Sequence, residues 1–346
     1  MKLADFDYHL PEDLIAQRPS RKRDNARMMV LSRKGDTTQD SFFHCLTNFL
    51  RKDDVLVIND TKVIPAKLVG RKETGSRIEV LLLVKRSDNG PANQCWEVLL
   101  KPGKRIRVGT KIHFGTAGEA RIVERISGKK WLAVFITAGP FDTFLESFGQ
   151  APLPPYIKRH DQVPESGDDR SRYQTIYARV PGSVAAPTAG LHFSQSVLDN
   201  LNQSGVRIVS VTLHVGYGTF MPIETEQIED HVMEEEFYEI GPEAASVINS
   251  ASHVIAVGTT STRVLESAAD DEGKVSAGAT YTRLCIYPGY HFKRVDGLIT
   301  NFHLPRSSLY ILVCAFAGKN SIECAYRRAV ENSYRFYSYG DCMLIL

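Results

Sequence analysis

The chain has 346 residues, 43% hydrophobic and 24% charged, and its 42 basic and 40 acidic side chains leave a net charge of +2; that is room for about two domains, and any nucleic-acid partner must be met by a local basic patch. Six cysteines, at positions 45, 95, 285, 314, 324 and 342, form no C-x-x-C pair, which argues against a zinc ribbon, a closely ligated iron–sulfur cluster or a disulfide framework, and for reduced thiols in the cytoplasm. No apolar run reaches the roughly 18 residues of a membrane span, and no basic-then-apolar leader opens the chain.

Leu10 to Ile15 reads as a short helical turn. The basic run Arg18 to Asp24 reads as either a solvated surface turn or a phosphate contact. Met28 to Leu31 predicts a buried strand, Phe42 to Leu50 has helical spacing, and Asp54 to Ile58 suits a strand buried on both faces. That strand runs into Asn59-Asp60-Thr61, at the carboxyl end where α/β sheets place ligand groups.

From residue 65 the texture changes to short β-like runs without intervening helices. They are Ala66–Gly70, Ile78–Val84, Trp96–Leu100, Lys111–Phe114, Ala120–Ile126 and Trp131–Ile136. Turn signals separate them at Asp88-Asn89-Gly90-Pro91, Pro102-Gly103 and Ser127-Gly128, the pattern of a small antiparallel barrel or sandwich. The stiff segment Pro152-Leu153-Pro154-Pro155-Tyr156 ends it. The division expected is an α/β domain at 1–64 and 153–346, interrupted by a β-barrel at 65–152.

The stretch Gly182 to Phe193 is rich in Gly, Ala and Pro and has no acidic or basic residue but His192. Such residues let backbone come close to a neighbour, either in a tight packing turn or against a ligand. Ser194 is the expected N-cap of a helix over 195–204, which Gly205 closes. A strand over 206–214, a helix over 242–252 and a strand over 254–258 follow. The last runs straight into the hydroxyl-rich helix start Thr259-Thr260-Ser261 with Arg263. Leu284–Tyr287 and Gly297–Thr300 are expected as strands, 309–316 and 322–332 as helices, with an apolar tail at 342–346. Strands alternating with helices around an all-β insert make an α/β fold with an inserted barrel.

No P-loop, complete dinucleotide fingerprint or H-E-x-x-H motif is present. His231 to Glu236 reads as an acidic helix start rather than as metal ligands. What remains is a set of polar residues at strand ends and helix starts: Asn59-Asp60-Thr61, Arg172-Tyr173-Gln174, Thr188, His192, His214, Thr259-Thr260-Ser261, Arg263, Asn301-Phe302-His303 and Tyr339-Gly340-Asp341. Each alone is bland, but together they are what a pocket in an open α/β sheet requires.

Phe6-Asp7-Tyr8 with Leu10-Pro11, Asn59-Asp60-Thr61 with Val63 to Ala66, Lys101 to Lys104, Pro152 to Ile157, Arg172 to Thr175, Gly182 to Phe193, His214-Val215-Gly216 with Gly218-Thr219-Phe220, Val257 to Ser261, Tyr287 to Tyr290, Thr300 to Pro305 and Arg335-Phe336 with Ser338 to Asp341 resemble the S-adenosylmethionine:tRNA ribosyltransferase-isomerase family of queuosine biosynthesis. The resemblance runs through nearly the whole chain. One departure is Glu234, where the family usually has a second His after His231-x-Met233. The resemblance implies transfer of the ribosyl part of S-adenosylmethionine to 7-aminomethyl-7-deazaguanine at the tRNA wobble position, giving epoxyqueuosine, adenine and methionine. It also implies the barrel-interrupted α/β fold. S-adenosylmethionine would then be a consumed substrate, with no cofactor, metal or membrane expected and a monomer as the working form.

Such chemistry needs a base for the acidified 5′ proton and an acid for departing adenine. His192, His214 and Asp60 are the catalytic candidates. Thr259 and Thr260 at a helix start, with Arg263, could hold the methionine carboxylate; Thr188, Arg172, Tyr173, Gln174 and His303 complete the substrate-binding set. For tRNA, phosphate contacts are expected from Arg23, Lys101, Lys104, Lys158 and Arg159, with Tyr156 or Phe193 stacking on the base. A non-catalytic tRNA-binding protein and, more weakly, a methyltransferase are the competing readings.

Overall fold

The computed structural model describes residues 1–35, 37–88, 90, 93–104, 106–159, 167–220 and 222–346; Asn89 and Pro91 of the expected turn lie outside them. The first strands are β1 (Arg27–Ser32), β2 (Thr37–Phe42), β3 (Val55–Asn59) and β4 (Thr61–Val63). Then come β5 (Lys67–Lys72), β6 (Arg77–Asp88), β7 (Asn93–Lys101), β8 (Lys111–His113), β9 (Gly118–Ser127), β10 (Lys130–Thr137) and helix α1 (Phe141–Phe148). The chain continues through α2 (Gly167–Arg172), β11 (Val180–Ser183), α3 (Gln195–Gln203), β12 (Arg207–Leu213), β13 (Glu236–Ile240), α4 (Pro242–Ser250), β14 (Val254–Val257) and α5 (Gly258–Ala268). It ends with β15 (Gly278–Thr282), β16 (Gly297–Asn301), α6 (Ser308–Ala317), α7 (Lys319–Glu331) and β17 (Cys342–Ile345).

Nine strands form one mixed sheet in the order β15-β13-β12-β3-β14-β16-β17-β1-β2. Its centre is β12, β3, β14 and β16, paired parallel, so their carboxyl ends open on one edge. The period of two along β3 sends Val55 and Val57 into the core on one face and Leu56 and Ile58 into the core on the other. Burying such side chains contributes about 1.5–3 kcal/mol each. A continuous apolar run such as Val55 to Ile58 is therefore what a central strand needs.

All six β-like runs become strands of one closed antiparallel barrel, β10-β7-β6-β5-β8-β9. Ile78, Val80 and Leu82 fill it from β6, and Ala133 and Phe135 from β10. The helix α1, which the sequence reading missed, packs Phe141, Phe144 and Leu145 into the same core. Val184 and Tyr217 from the α/β part also pack against that core.

Two expectations fail. Residues 284–287 form no strand: Ile286 is buried and Leu284 and Tyr287 pack on the core, but Pro288 follows and a Tyr290-to-Tyr287 backbone turn bends the chain away. The acidic segment after His231 starts no helix. His231 ends a short 3₁₀ turn, and Glu236 opens β13, buried by partners described below.

Candidate active site

Gly258 lets the chain pass from β14 into α5 without a connecting loop. Its φ of +87° is left-handed, a conformation glycine adopts without steric cost. As at any helix start the first amides of α5 have no intrahelical acceptor, and here no side chain caps them. Thr259 and Thr260 sit in that first turn, and Thr260 Oγ1 is buried without a hydrogen-bond partner.

This helix end forms one wall of a cleft of about 370 Å³. Ala186, Thr188 and Ala189 form a second wall, and Thr300, Asn301 and His303 at the end of β16 a third. His303 is the one titratable side chain lining it among the described residues. Its Nε2 lies 2.7 Å from Thr300 Oγ1, and burial pushes its pKa down to about 3. The ring is therefore neutral near pH 7.

Asn301, one of the strand-end polar residues expected around a pocket, ties the cleft to His192. Its Oδ1 accepts from Thr188 Oγ1 at 2.9 Å, and its Nδ2 donates to the Tyr337 carbonyl at 3.2 Å and to His192 Nε2 at 3.1 Å. A carbonyl only accepts, so the Tyr337 contact fixes the amide orientation and makes His192 Nε2 an acceptor. The neutral ring then carries its proton on Nδ1. Burial, with help from the Arg23 and Arg335 charges, pushes the His192 pKa down to about 4. His192 lines not the cleft but a neighbouring pocket of about 270 Å³, with Arg23, Arg172 and Tyr339.

Other sequence candidates are elsewhere or already engaged. Asp60 is buried, and its carboxylate accepts from Thr212 Oγ1 at 2.7 Å and from Arg179 Nη2 at 2.7 Å; it lines neither cavity. His214 also stands outside both. It bonds Thr61 Oγ1 at 2.8 Å and stacks on Phe237, and burial lowers its pKa despite the opposing Asp60 and Glu239 charges. Arg263 is not available to a carboxylate ligand: it is buried in an ion pair with Glu236. Glu236, unsuspected from sequence, also accepts from Gly216 N at 2.9 Å and Thr219 Oγ1 at 3.1 Å, and so holds the loop that brings Thr219 to the cleft.

Tyr173 is buried in a small apolar cluster, and Gln174 bonds both backbone groups of Val63 like an extra strand residue. Arg172 donates to the carbonyls of Ser20 and Arg21, and Arg23 to those of Leu191 and Ser171. Lys101 and Lys104 are exposed on the barrel, and Lys158 is exposed beside Glu12. Arg159 grips buried Asp169 with two bonds of 2.7 and 2.8 Å. Phe193 is fully buried against Phe43 and cannot stack on a base; the Tyr156 ring packs on Tyr337. Glu234 pairs with Lys130 of the barrel.

The stretch 182–193 divides its small residues between two uses. Ala186, Thr188 and Ala189 face the cleft, whereas Gly182 and Gly190 make room for the protein's own side chains. A Cβ at Gly182 would stand 2.6 Å from His214 Nε2, and one at Gly190 2.1 Å from the Tyr177 hydroxyl. Ser194 caps α3 as expected, accepting from Val197 N.

Among the described residues, no three His, Cys, Asp or Glu side chains gather as a metal site, and no helix is long and apolar enough to cross a membrane. Open α/β sheets bind ligands outside the carboxyl ends of their parallel strands, so the fold and the cleft define a ligand-binding α/β protein carrying an inserted barrel. The profile of the queuosine biosynthesis protein family matches residues 3–345. The chain is 59% identical over 362 aligned residues to the S-adenosylmethionine:tRNA ribosyltransferase-isomerase of Syntrophus aciditrophicus, and 51% identical over 352 to that of Carboxydothermus hydrogenoformans, each covering 100% of both chains. The crystal structure of S-adenosylmethionine tRNA ribosyltransferase from Thermotoga maritima matches 99% of this chain and 100% of its own, at 34% identity and a TM-score of 0.55. The chain belongs to the queuosine biosynthesis protein family.

Proposed function

We propose that this protein transfers and isomerises the ribosyl part of S-adenosylmethionine onto 7-aminomethyl-7-deazaguanine at the wobble position of tRNA, forming epoxyqueuosine and releasing adenine and methionine. Its relatives' shared enzyme name favours this over a non-catalytic tRNA-binding protein or a methyltransferase. The observation that supports the cleft as the site is the uncapped start of α5 with the unpartnered Thr260 hydroxyl. A carboxylate there would meet helix amides, the helix dipole and a waiting donor. The methionine carboxylate is the group of S-adenosylmethionine that fits, held by Thr259 and Thr260 without Arg263.

With that end fixed, His303 is the base and acid of the reaction. A neutral imidazole can take the 5′ proton that the sulfonium acidifies. The electron pair left at the 5′ carbon forms a bond to the 1′ carbon as the pair of the glycosidic bond departs with adenine. The protonated ring, acidic because it is buried, passes its proton to a nitrogen of the leaving adenine. The aminomethyl nitrogen then attacks the 1′ carbon, whose bond to the ring oxygen breaks, and the nitrogen loses a proton to solvent. The freed ring oxygen closes the epoxide on the 5′ carbon as methionine leaves with the carbon–sulfur pair. His192 then serves as a neutral donor rather than as the acid or base, and Asp60 and His214 hold the strand ends.

S-adenosylmethionine is consumed, and neither cofactor nor metal enters this scheme. The tRNA would lie over Arg23, Lys158 and the barrel residues Lys101 and Lys104 of the inserted segment 65–152, and the enzyme would work as a cytoplasmic monomer. Incubation with labelled S-adenosylmethionine and the modified tRNA should release free adenine only when that tRNA is present. Methyl transfer to the RNA, or no adenine at all, would overturn the proposal.

A further inference from the structure

The loop Arg18 to Lys22, part of the basic run readable as a solvated turn or as a phosphate contact, has a definite place in the fold. β1 runs parallel to β17, and β17 runs antiparallel to β16. β1 therefore begins at the sheet edge where β14 and β16 end, the edge that carries the cleft, and this loop lies just ahead of β1. Its Pro19 and Ser20 line the pocket of about 270 Å³ beside His192, and Asn301 joins His192 to Thr188 in the cleft wall.

Two guanidinium groups hold the loop from behind. Arg172 donates to the Ser20 carbonyl and, at 3.1 Å, to the Arg21 carbonyl. Arg335 donates to the Arg18 carbonyl and, at 3.1 Å, to Ser20 Oγ. The rigid fork of a guanidinium bridges two acceptors at once, so the backbone is fixed at successive points. In front, Arg18, Arg21 and Lys22 are exposed, and among the described residues none of their side chains has a hydrogen bond or an ion pair. Asp24, Asp169 and Asp341, from the elements around the loop, are held by Ser194, Arg159 and Arg27.

Neutral donors could hold a loop as well as guanidiniums do. Fixing three exposed cations in front of two more works against their mutual repulsion, and it raises the positive potential over this one edge. The three face solvent rather than an enclosed cavity, which suits the repeated, solvated phosphates of a nucleic-acid strand better than a small anion.

We propose that Arg18, Arg21 and Lys22 form a docking strip for the sugar-phosphate backbone of the RNA, with Arg172 and Arg335 as the positioning residues that hold it at the cleft edge. The strip supplies affinity without reading sequence. It takes the phosphates that flank the acceptor nucleotide, because it borders the cleft where that nucleotide must react. The choice of RNA as the polyanion rests on the reaction proposed above.

The test is binding of an anticodon stem-loop RNA, carrying 7-aminomethyl-7-deazaguanine at the wobble position, to the full chain by fluorescence anisotropy over a series of salt concentrations. Arg18→Gln, Arg21→Gln and Lys22→Gln combined should weaken binding at least tenfold at low salt. The slope of log affinity against log salt should fall by about two to three, one cation per phosphate. Lys34→Gln removes an exposed charge from the turn after β1, at the opposite edge of the sheet, and should leave affinity within twofold and the slope unchanged. Arg172→Lys keeps the charge but cannot bridge two carbonyls; by releasing the loop it should lower the slope too, with melting within a few degrees of the parent. A parent that does not bind the RNA, a triple variant with the parent's slope, or a Lys34→Gln protein that loses as much as the triple variant overturns the strip. An Arg172→Lys protein that folds and keeps the parent's slope overturns the positioning role. Because no turnover is read, absent adenine release would refute the reaction while these isotherms still decide the strip.

Discussion

Two buried neutral histidines should make this protein lose stability on mild acidification, and His303 allows the effect to be isolated. An unfolded chain binds a proton on imidazole with a pKa near 6.5, whereas the folded protein resists it down to about 3 at His303 and about 4 at His192. Below pH 6.5 the unfolded state therefore holds more protons than the folded one, and stability falls as pH falls until the folded pKa is passed. At pH 5 each ring has crossed 1.5 pH units of that window, worth about 2 kcal/mol per ring. The pair should thus cost about 4 kcal/mol between pH 7 and pH 5, a large part of the about 5–15 kcal/mol total of an ordinary domain. In His303→Gln one of the two titrations is gone and every other group cancels in the comparison. Urea unfolding at both pH values should show the variant gaining about 2 kcal/mol on the parent as pH drops from 7 to 5, whatever the offset at pH 7. A gap that stays constant would show that His303 takes up its proton as easily in the folded protein as in the unfolded chain. The buried, neutral base assigned to it would then be refuted.

Other changes test the framework around the cleft. Glu236→Ala should cost about 3–5 kcal/mol, because it strands the Arg263 guanidinium in the core; adding Arg263→Met should recover most of that in the same unfolding assay, and no recovery would contradict the pairing. Gly182→Ala forces a Cβ onto the His214 ring at a φ of +150° and should destabilise by more than about 1 kcal/mol; an unchanged midpoint would mean the contact is easily relieved. Ala186→Leu projects into the cleft, so KM for S-adenosylmethionine should rise at least tenfold while melting shifts by only a few degrees. Loss of folding without a separable loss of affinity would make Ala186 a packing residue.

The parts of the structure legible in the sequence are those decided by neighbours along the chain. β3 could be read because its apolar run is the requirement of a strand covered on both faces, and the barrel because alternation with close turn signals suits little else. Residues 284–287 were misread because propensity is local, whereas a strand needs an edge to pair with, and Pro288 turns this segment away from one. The partners of the site candidates are not local either. Asp60 and Arg263 have the chemistry of a catalyst and a carboxylate clamp, but partners 119 and 27 residues away in sequence, Arg179 and Glu236, occupy them first. No spacing rule announces such a pair.

The same reasoning explains why the small-residue stretch was ambiguous. Gly182 and Gly190 are small for His214 and Tyr177, whereas Ala186 and Ala189 are small for the cleft; one composition serves packing and binding within a few residues. Position on the sheet separates the two uses. Groups beyond the ends of β14 and β16 have open space in front of them, so the Thr260 hydroxyl stays unpartnered. Groups beyond β3 and β12 are closed over by β4 and β11, so Asp60 and His214 find protein partners instead. A strand-end residue that a later segment reaches is thus engaged by the protein itself, as Asp60 is by Arg179, whereas the end of β16 lines the cleft.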